Sequence, residues 1–186
     1  MIKIPTIFVR DMSKQPALVT PMWVPGTEWV RDGVGIATRK YDGTSCMVRG
    51  GKLYKRRELR SGDVAPADFE SLGTDENTGK TVGWVPVGDG PEDKYHREAF
   101  VPAVCDEPAL EDGTYELVGP KVQGNKDKFD QHTLVPHGAD KIEPDPIRDF
   151  YSLRRWLEGT NIEGIVWHHP DGRMAKIKRR DFGLRW

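Results

Sequence analysis

Residues 161–180 read NIEGIVWHHPDGRMAKIKRR, and this stretch decides the fold class. Two strand-like runs, 161–169 and 173–180, flank Pro170-Asp171-Gly172. Proline at the second and glycine at the fourth position of a four-residue turn suit type I geometry. A hairpin closed by His169 and Gly172 places Glu163 across from Lys178 and Ile165 across from Lys176. Side chains alternate with period two, so Glu163, Lys176 and Lys178 project from one face; a bulge would shift that register by one. One carboxylate and two ammoniums on one sheet face suit a phosphate and metal site. A cross-strand surface ion pair would use the same residues.

Working outward, the segments 34–40 (VGIATRK), 45–49 (SCMVR) and 52–56 (KLYKR) read as strands separated by the turn signals DGTS and GG. Residues 82–87 (VGWVPV) and 114–118 (TYELV) read the same way. Over 147–158, Ile147, Phe150, Tyr151, Leu153, Trp156 and Leu157 fall near helical spacing, with Gly159 as the stop. Segments 61–80 and 88–112, rich in Asp, Glu, Gly and Pro, read as loops or short irregular elements. Fourteen prolines and twenty glycines suit a loop-rich α+β domain, taken as a single domain over 1–186.

Composition excludes several classes. At 37% hydrophobic and 31% charged, the chain can bury a core and is too apolar for a disordered protein. Cys46 and Cys105 make neither a disulfide scaffold nor a zinc knuckle, so a reducing, cytoplasmic setting is expected. No apolar run approaches the roughly 20 residues of a membrane span, so no membrane partner is expected. The net charge of −1 argues at first against a nucleic-acid partner. Yet it hides a balance of +4 over 52–60, −10 over 63–112 and +5 over the last fifteen residues. The acidic middle reads as a solvated face, while the basic segments interleave aromatics and strand-like alternation and suit phosphate.

The second anchor is Lys40-Tyr41-Asp42-Gly43, at the end of the strand-like VGIATRK. A lysine amine is a nucleophile when neutral, and cations such as Lys176, Lys178 and Arg56 nearby would favour the neutral form. The same cations would hold a triphosphate. The chemistry suggested is attack of the lysine Nζ on a nucleotide α-phosphate, with Mg²⁺ and the cationic side chains stabilising the transferring group.

The ordered set Lys40-x-Asp42-Gly43, Arg56, Tyr115-Glu116-Leu117-Val118-Gly119, Glu163-Gly164-Ile165-Val166 and Lys176-x-Lys178 resembles the covalent nucleotidyltransferase motifs of polynucleotide ligases and mRNA capping enzymes. More narrowly, YELVGPKVQGN, HTLVPHGA and IEGIVWHHPDGRMAKIKRRDFGL resemble the small ATP-dependent 5′–3′ RNA ligase family, over about Trp23 to Trp186. The resemblance implies an adenylation domain with antiparallel sheets and flanking helices. It implies Lys40 as the residue that forms lysyl-AMP, and Asp42 as the one that orients the lysine and the water shell of a metal. Gly43 would let the backbone approach the nucleotide. Arg56 would contact the sugar and later the 5′-phosphate, with Arg57 as its rival. Glu116 would bind the ribose hydroxyls, Glu163 would help hold Mg²⁺ (Mn²⁺ possible), and Lys176 and Lys178 would contact the α-phosphate. The implied partners are ATP and RNA with 5′-phosphate and 3′-hydroxyl ends, with no obligate protein partner.

Two departures qualify this resemblance. Many relatives carry a glutamate just before the lysine, where this chain has Thr38 and Arg39, so ATP over GTP rests on the family alone. The sequence ends eight residues after Lys178, so no OB-fold domain is expected. A DNA ligase or nick sealer, a guanylyltransferase and a non-catalytic RNA-end binder remain alternatives.

Overall fold

The computed structural model describes residues 3–13, 15–76, 78–105 and 110–186. In chain order the elements are β1 (Phe8–Asp11), β2 (Leu18–Trp23), α1 (Glu28–Arg31), β3 (Ile36–Lys40), β4 (Thr44–Arg49), β5 (Lys52–Leu59), β6 (Glu70–Asp75), β7 (Lys80–Pro86), α2 (Lys94–Cys105), β8 (Gly113–Val118), β9 (Thr133–Pro136), α3 (Phe150–Glu158), β10 (Gly164–His168) and β11 (Met174–Lys178). Short 3-10 turns cover Pro91–Asp93 and Arg179–Phe182. Every pairing between these strands is antiparallel, so the expected mostly antiparallel α+β architecture holds. Among the described residues no helix is long and apolar enough to cross a membrane. The chain divides into two compact units, Lys3–Tyr41 with Gly138–Trp186 and Asp42–His137, here called the hairpin unit and the six-stranded unit.

In the hairpin unit the strand order is β11-β10-β3, with the 161–180 hairpin supplying two of the three strands. β10 is buried from Gly164 to Trp167, which explains its near-continuous apolar run. Ile165, Trp167, Ala175 and Ile177 join Phe8, Leu153 and Leu157 in the core, each 1% exposed or less. Burying one such large side chain contributes about 1.5–3 kcal/mol, so this cluster is the main stabiliser of the unit. Phe8 meets Trp23, Phe150 and Phe182 edge-on, with ring centroids 4.7, 5.2 and 6.3 Å away.

The hairpin turn forms as read, with Gly172 N–H donating to the His169 carbonyl at 2.9 Å. The register does not. Gly172 sits at φ 89°, and His169 N–H donates to the Arg173 carbonyl, which adds a bulge residue after the type I turn. Lys178 therefore opposes Gly164, and Lys176 opposes Val166. Glu163 lies just before β10, not within the ladder.

α3 begins later than its apolar spacing suggests. Asp149 caps it, its Oδ1 accepting from the N–H groups of Tyr151 and Ser152 at 3.0 Å each. Ile147 is left outside the helix and 72% exposed. Leu153 and Leu157, four residues apart, turn one stripe into the core.

In the six-stranded unit the order is β6-β7-β5-β4-β8-β9. One face of the sheet carries Cys46, Val48, Leu53, Tyr115, Leu117 and Leu134, covered by Ala99 of α2 and by Val122. Two elements replace the loops expected at 61–80 and 88–112. β6 (ESLGTD) lies at the sheet edge with its side chains largely exposed, held by pairing to β7 and so lacking an apolar alternation to read. α2 (KYHREAFVPAVC) carries Pro102, a helix breaker by sequence, and follows an acidic, glycine-rich stretch.

Replacing Asp149 by Ala should lower stability by about 1 kcal/mol in urea unfolding near neutral pH. The two backbone N–H donors hold the Asp149 carboxyl below its ordinary pKa. Its contribution is therefore present above the unfolded-state pKa and lost as pH falls through the lower folded value. The gap between wild type and variant should close on acidification.

Candidate active site

In the hairpin unit, three strands bring together the basic and acidic residues expected at 40, 163, 176 and 178. Lys40, the last residue of β3, opposes Gly164 from one side, and Lys178 opposes it from the other. Directly opposed residues share a face, so both lysines project over a position that has no side chain. Glu163 Oε2 lies 2.5 Å from Lys40 Nζ and its Oε1 lies 2.6 Å from Lys178 Nζ. Glu163 is 4% exposed and Lys178 9%. A Cβ on Gly164 would lie 2.1 Å from the Ile177 carbonyl oxygen, so only glycine fits there. Lys40 Nζ also donates to the Tyr41 carbonyl at 3.0 Å.

Lys176 stands on the same face one row along, where Thr38 and Lys176 both oppose Val166. It makes no ion pair among the described residues. Burial pushes its ammonium down to about 8, helped by the positive charges of Lys178 and Lys40. Lys178 is lowered as well, by burial first and then by Lys40. The backbone on both sides of these lysines is fixed. Lys176 N–H donates to the Pro5 carbonyl and its carbonyl accepts from Ile7 N–H, both at 2.9 Å. Asp181, 3% exposed, accepts the Lys178 N–H at 2.9 Å and an Arg10 N–H at 2.6 Å. Neither the segment 5–7 nor Asp181 stands out in the sequence. Backbone pairing and a buried cap leave no motif.

The six-stranded unit carries Asp42, Gly43, Arg56 and Glu116. Glu116 on β8 opposes Ser45 of β4, and Arg56 on β5 opposes Trp84 of β7. Cys46 pairs with Lys55 and Tyr115 on the core side, so by alternation Arg56, Ser45 and Glu116 share the other face, and Arg57 does not. Glu116 is already engaged. Its Oε1 accepts the Gly43 N–H at 3.1 Å, and its Oε2 lies 2.9 Å from His137 Nε2. A carboxylate only accepts, so His137 Nε2 is the donor. Gly43 is required by β8 itself, since a Cβ there would meet the Leu117 carbonyl oxygen at 2.2 Å. Asp42 N–H donates to Asp127 Oδ2 at 2.9 Å, and its Oδ2 lies 3.4 Å from Lys126 Nζ. His137 was visible within HTLVPHGA, but nothing in its spacing marked it as the partner of Glu116.

The remaining polar residues are structural. Cys46 is fully buried, and burial beside the Glu116 charge pushes its thiol up to about 12. It stays a protonated core residue. His132 stacks on Tyr95 with centroids 4.5 Å apart, and its Nδ1 lies 2.8 Å from Glu98. Trp167 lies in the core of the hairpin unit, and Trp84 is buried on the Arg56 face of the six-stranded sheet.

The described residues hold no group of three or more His, Cys, Asp or Glu side chains that could retain a metal unaided. Magnesium does not need one, since it commonly binds through one or two carboxylates, water and substrate phosphates. A phosphate entering beside Lys40, Lys176 and Lys178 would draw those ammoniums toward itself and free Glu163 oxygens. The donor set is compatible with a phosphate-borne Mg²⁺ and not with a resident metal cage.

Sheets of this kind, with a buried lysine–glutamate–lysine cluster at the end of a K-x-D-G strand, suit an enzyme of phosphate chemistry. The comparisons with known proteins narrow the class. The family model described as RNA ligase 1 matches residues 98–186. Rat RNA ligase 1 is 26% identical over 264 aligned residues, covering 99% of this chain and 81% of that protein. Zebrafish RNA ligase 1 is 39% identical over 85 residues, 41% of this chain and 26% of that protein. RNA ligase 1 of Pongo abelii is 42% identical over 81 residues, 39% of this chain and 25% of that protein. The zebrafish and Pongo matches thus cover about a quarter of those proteins. Together the matches show that this chain is similar to proteins named RNA ligase 1, in line with the resemblance carried by its motifs.

The lowered ammonium of Lys176 has a measurable consequence. Its folded value near 8 lies below the ordinary 10.5, so the unfolded state binds more protons between the two. Stability of the wild type should therefore rise with pH across that window. Lys176→Met should reduce that rise, leaving the share that Lys178 contributes, and add about 1–2 kcal/mol at pH 7 in chemical denaturation. An unchanged pH slope would show that Lys176 does not carry the effect.

Proposed function

We propose that the chain is an ATP-dependent RNA ligase that joins a 5′-phosphate to a 3′-hydroxyl through a lysyl-AMP intermediate. The observation that carries this reading is the bridging of Lys40 and Lys178 by Glu163, at 2.5 and 2.6 Å, with Lys176 on the same sheet face. A nucleophilic lysine needs a proton acceptor and a set of cations for the phosphates. This arrangement contains both.

In the first step Lys40 Nζ leaves its ion pair, gives up a proton and forms a P–N bond to the α-phosphorus of ATP. The bond to the bridging oxygen breaks and pyrophosphate leaves. Glu163 is the acceptor nearest that proton. Lys176 and Lys178 hold the α-phosphate oxygens, where charge accumulates in the transition state. Gly164 lets β10 pass close to the β11 backbone between the two lysines. In the other unit, Glu116 offers its carboxylate to ribose hydroxyls, and Arg56 offers its guanidinium to the sugar and later to the RNA 5′-phosphate. Glu163 is the residue of the hairpin unit that would hold Mg²⁺ (or Mn²⁺), and Asp42 is the one the motif resemblance assigns to it in the other unit; the ion would supply charge neutralisation on the phosphates. The AMP then passes from Lys40 to the RNA 5′-phosphate. A 3′-hydroxyl attacks that activated end, closing the phosphodiester and releasing AMP. No protein partner is needed for these steps, and a cytoplasmic setting suits the free thiol.

Incubation with α-labelled ATP and Mg²⁺ should label the wild type covalently, and Lys40→Ala should fall to background. Equal labelling of the two would sink the reading. Intact mass after ATP or GTP given separately fixes base choice, and an adduct from GTP alone would mean a guanylyltransferase. Offering 5′-phosphorylated RNA and nicked DNA to one preparation separates an RNA ligase from a nick sealer. RNA affinity without any mass shift would mean a non-catalytic end binder.

A further inference from the structure

The loop 119–131, between β8 and β9, contains the most strained backbone in the described chain. Gln123, Asn125 and Lys128 sit at φ 44°, 50° and 59°, the left-handed region that side-chain-bearing residues seldom adopt. Such strain persists only where surrounding bonds over-determine it. They do so here. Val122 N–H donates to the Gly119 carbonyl at 3.0 Å, Asn125 N–H to the Val122 carbonyl at 2.8 Å, and Lys128 N–H to the Asn125 carbonyl at 3.0 Å. The Asn125 side chain bridges Phe129 in both directions at 2.9 Å, and Val122, 8% exposed, roots the loop in the core.

What this rigidity achieves is the placement of Asp127. Its Oδ2 accepts the Asp42 N–H at 2.9 Å, while the neighbouring Lys126 ammonium lies 3.4 Å from the Asp42 carboxylate. Glu116 takes the next peptide N–H, that of Gly43, at 3.1 Å. Two successive N–H groups of the K-x-D-G motif therefore each end on a carboxylate, and the two carboxylates come from different parts of the chain. Water could satisfy a turn's N–H groups without a strained loop. Charged acceptors hold them in one direction.

We propose that Asp127 is a positioning residue for adenylyl transfer. It fixes the Asp42 main chain, two residues after Lys40, so that the Asp42 carboxylate is presented in a single orientation. This rests on the ligase reading above, and the test separates the two. Asp127→Asn keeps an oxygen able to accept the Asp42 N–H, whereas Asp127→Ala removes it; Asp127→Ser, too short to reach, replaces the alanine variant should that one not fold.

In the full chain, single-turnover adenylylation by Asp127→Ala should slow about tenfold, with the half-saturating ATP concentration within about twofold of wild type. Asp127→Asn should stay within about threefold of wild type. Amide hydrogen exchange at Asp42 should quicken in Asp127→Ala and not in Asp127→Asn. Wild-type rates in Asp127→Ala overturn the proposal. So do equal losses in the Ala and Asn variants, or a slower rate with Asp42 exchange unchanged. A wild type that takes up no AMP overturns the ligase reading and, with it, the catalytic purpose of Asp127; faster Asp42 exchange in Asp127→Ala would then still establish the clamp itself.

Discussion

Glu163 holds two lysines from neighbouring strands on either side of a glycine, and much of the hairpin unit is arranged around that fact. Isolated buried charges are costly, and a carboxylate between two ammoniums lowers the cost by letting each ion solvate the next. The arithmetic still leaves an excess of positive charge once Lys176 is counted. Burial lowers the Lys176 and Lys178 ammoniums, and that excess lowers them further. A structure selected for stability alone would place methionine or leucine there. The excess becomes useful only when a polyanion arrives to neutralise it.

The same constraint explains the supports. Lys176 and Lys178 point where they do because the backbone of β11 cannot slide. The segment 5–7 bonds Lys176 on one side and Asp181 takes the Lys178 N–H near the strand end. In the six-stranded unit the logic repeats with the signs exchanged. Carboxylates of Glu116 and Asp127 hold backbone N–H groups of the K-x-D-G turn. The sheet packs its core cluster on one face and carries Arg56, Ser45 and Glu116, beside the buried Trp84, on the other.

Legibility from the sequence followed the range of the interaction. The 161–180 hairpin, the strands from 34 to 56 and the helix near 150 were readable because local periodicity and turn chemistry encode them. The register was misread by one residue. Glycine at 172 serves both the type I turn and a following left-handed bulge, and the simpler turn alone was taken from it. Glu163 and Lys178 meet even so, because the glutamate lies just outside the ladder and reaches back toward it. β6 was missed because an exposed edge strand needs no apolar alternation, and α2 because it lies in a segment whose Asp, Glu, Gly and Pro content reads as loop. Residues that act through the backbone of others, such as Asp127 and Asp181, carry no motif at all.

Charge shows most clearly how the sum misleads and the placement informs. A chain at −1 is expected to coat a long duplex only weakly. The cations that matter here are buried or half-buried and partly paired to Glu163. They offer little to a phosphodiester backbone passing outside. They offer a great deal to a phosphate that can enter, displace the glutamate and be enclosed. For the proposed reaction this is the right bias. On the proposed reading, the site would favour a triphosphate or a 5′-phosphate end over the interior of a strand. Under that reading, selectivity for ends would follow from burial and charge together.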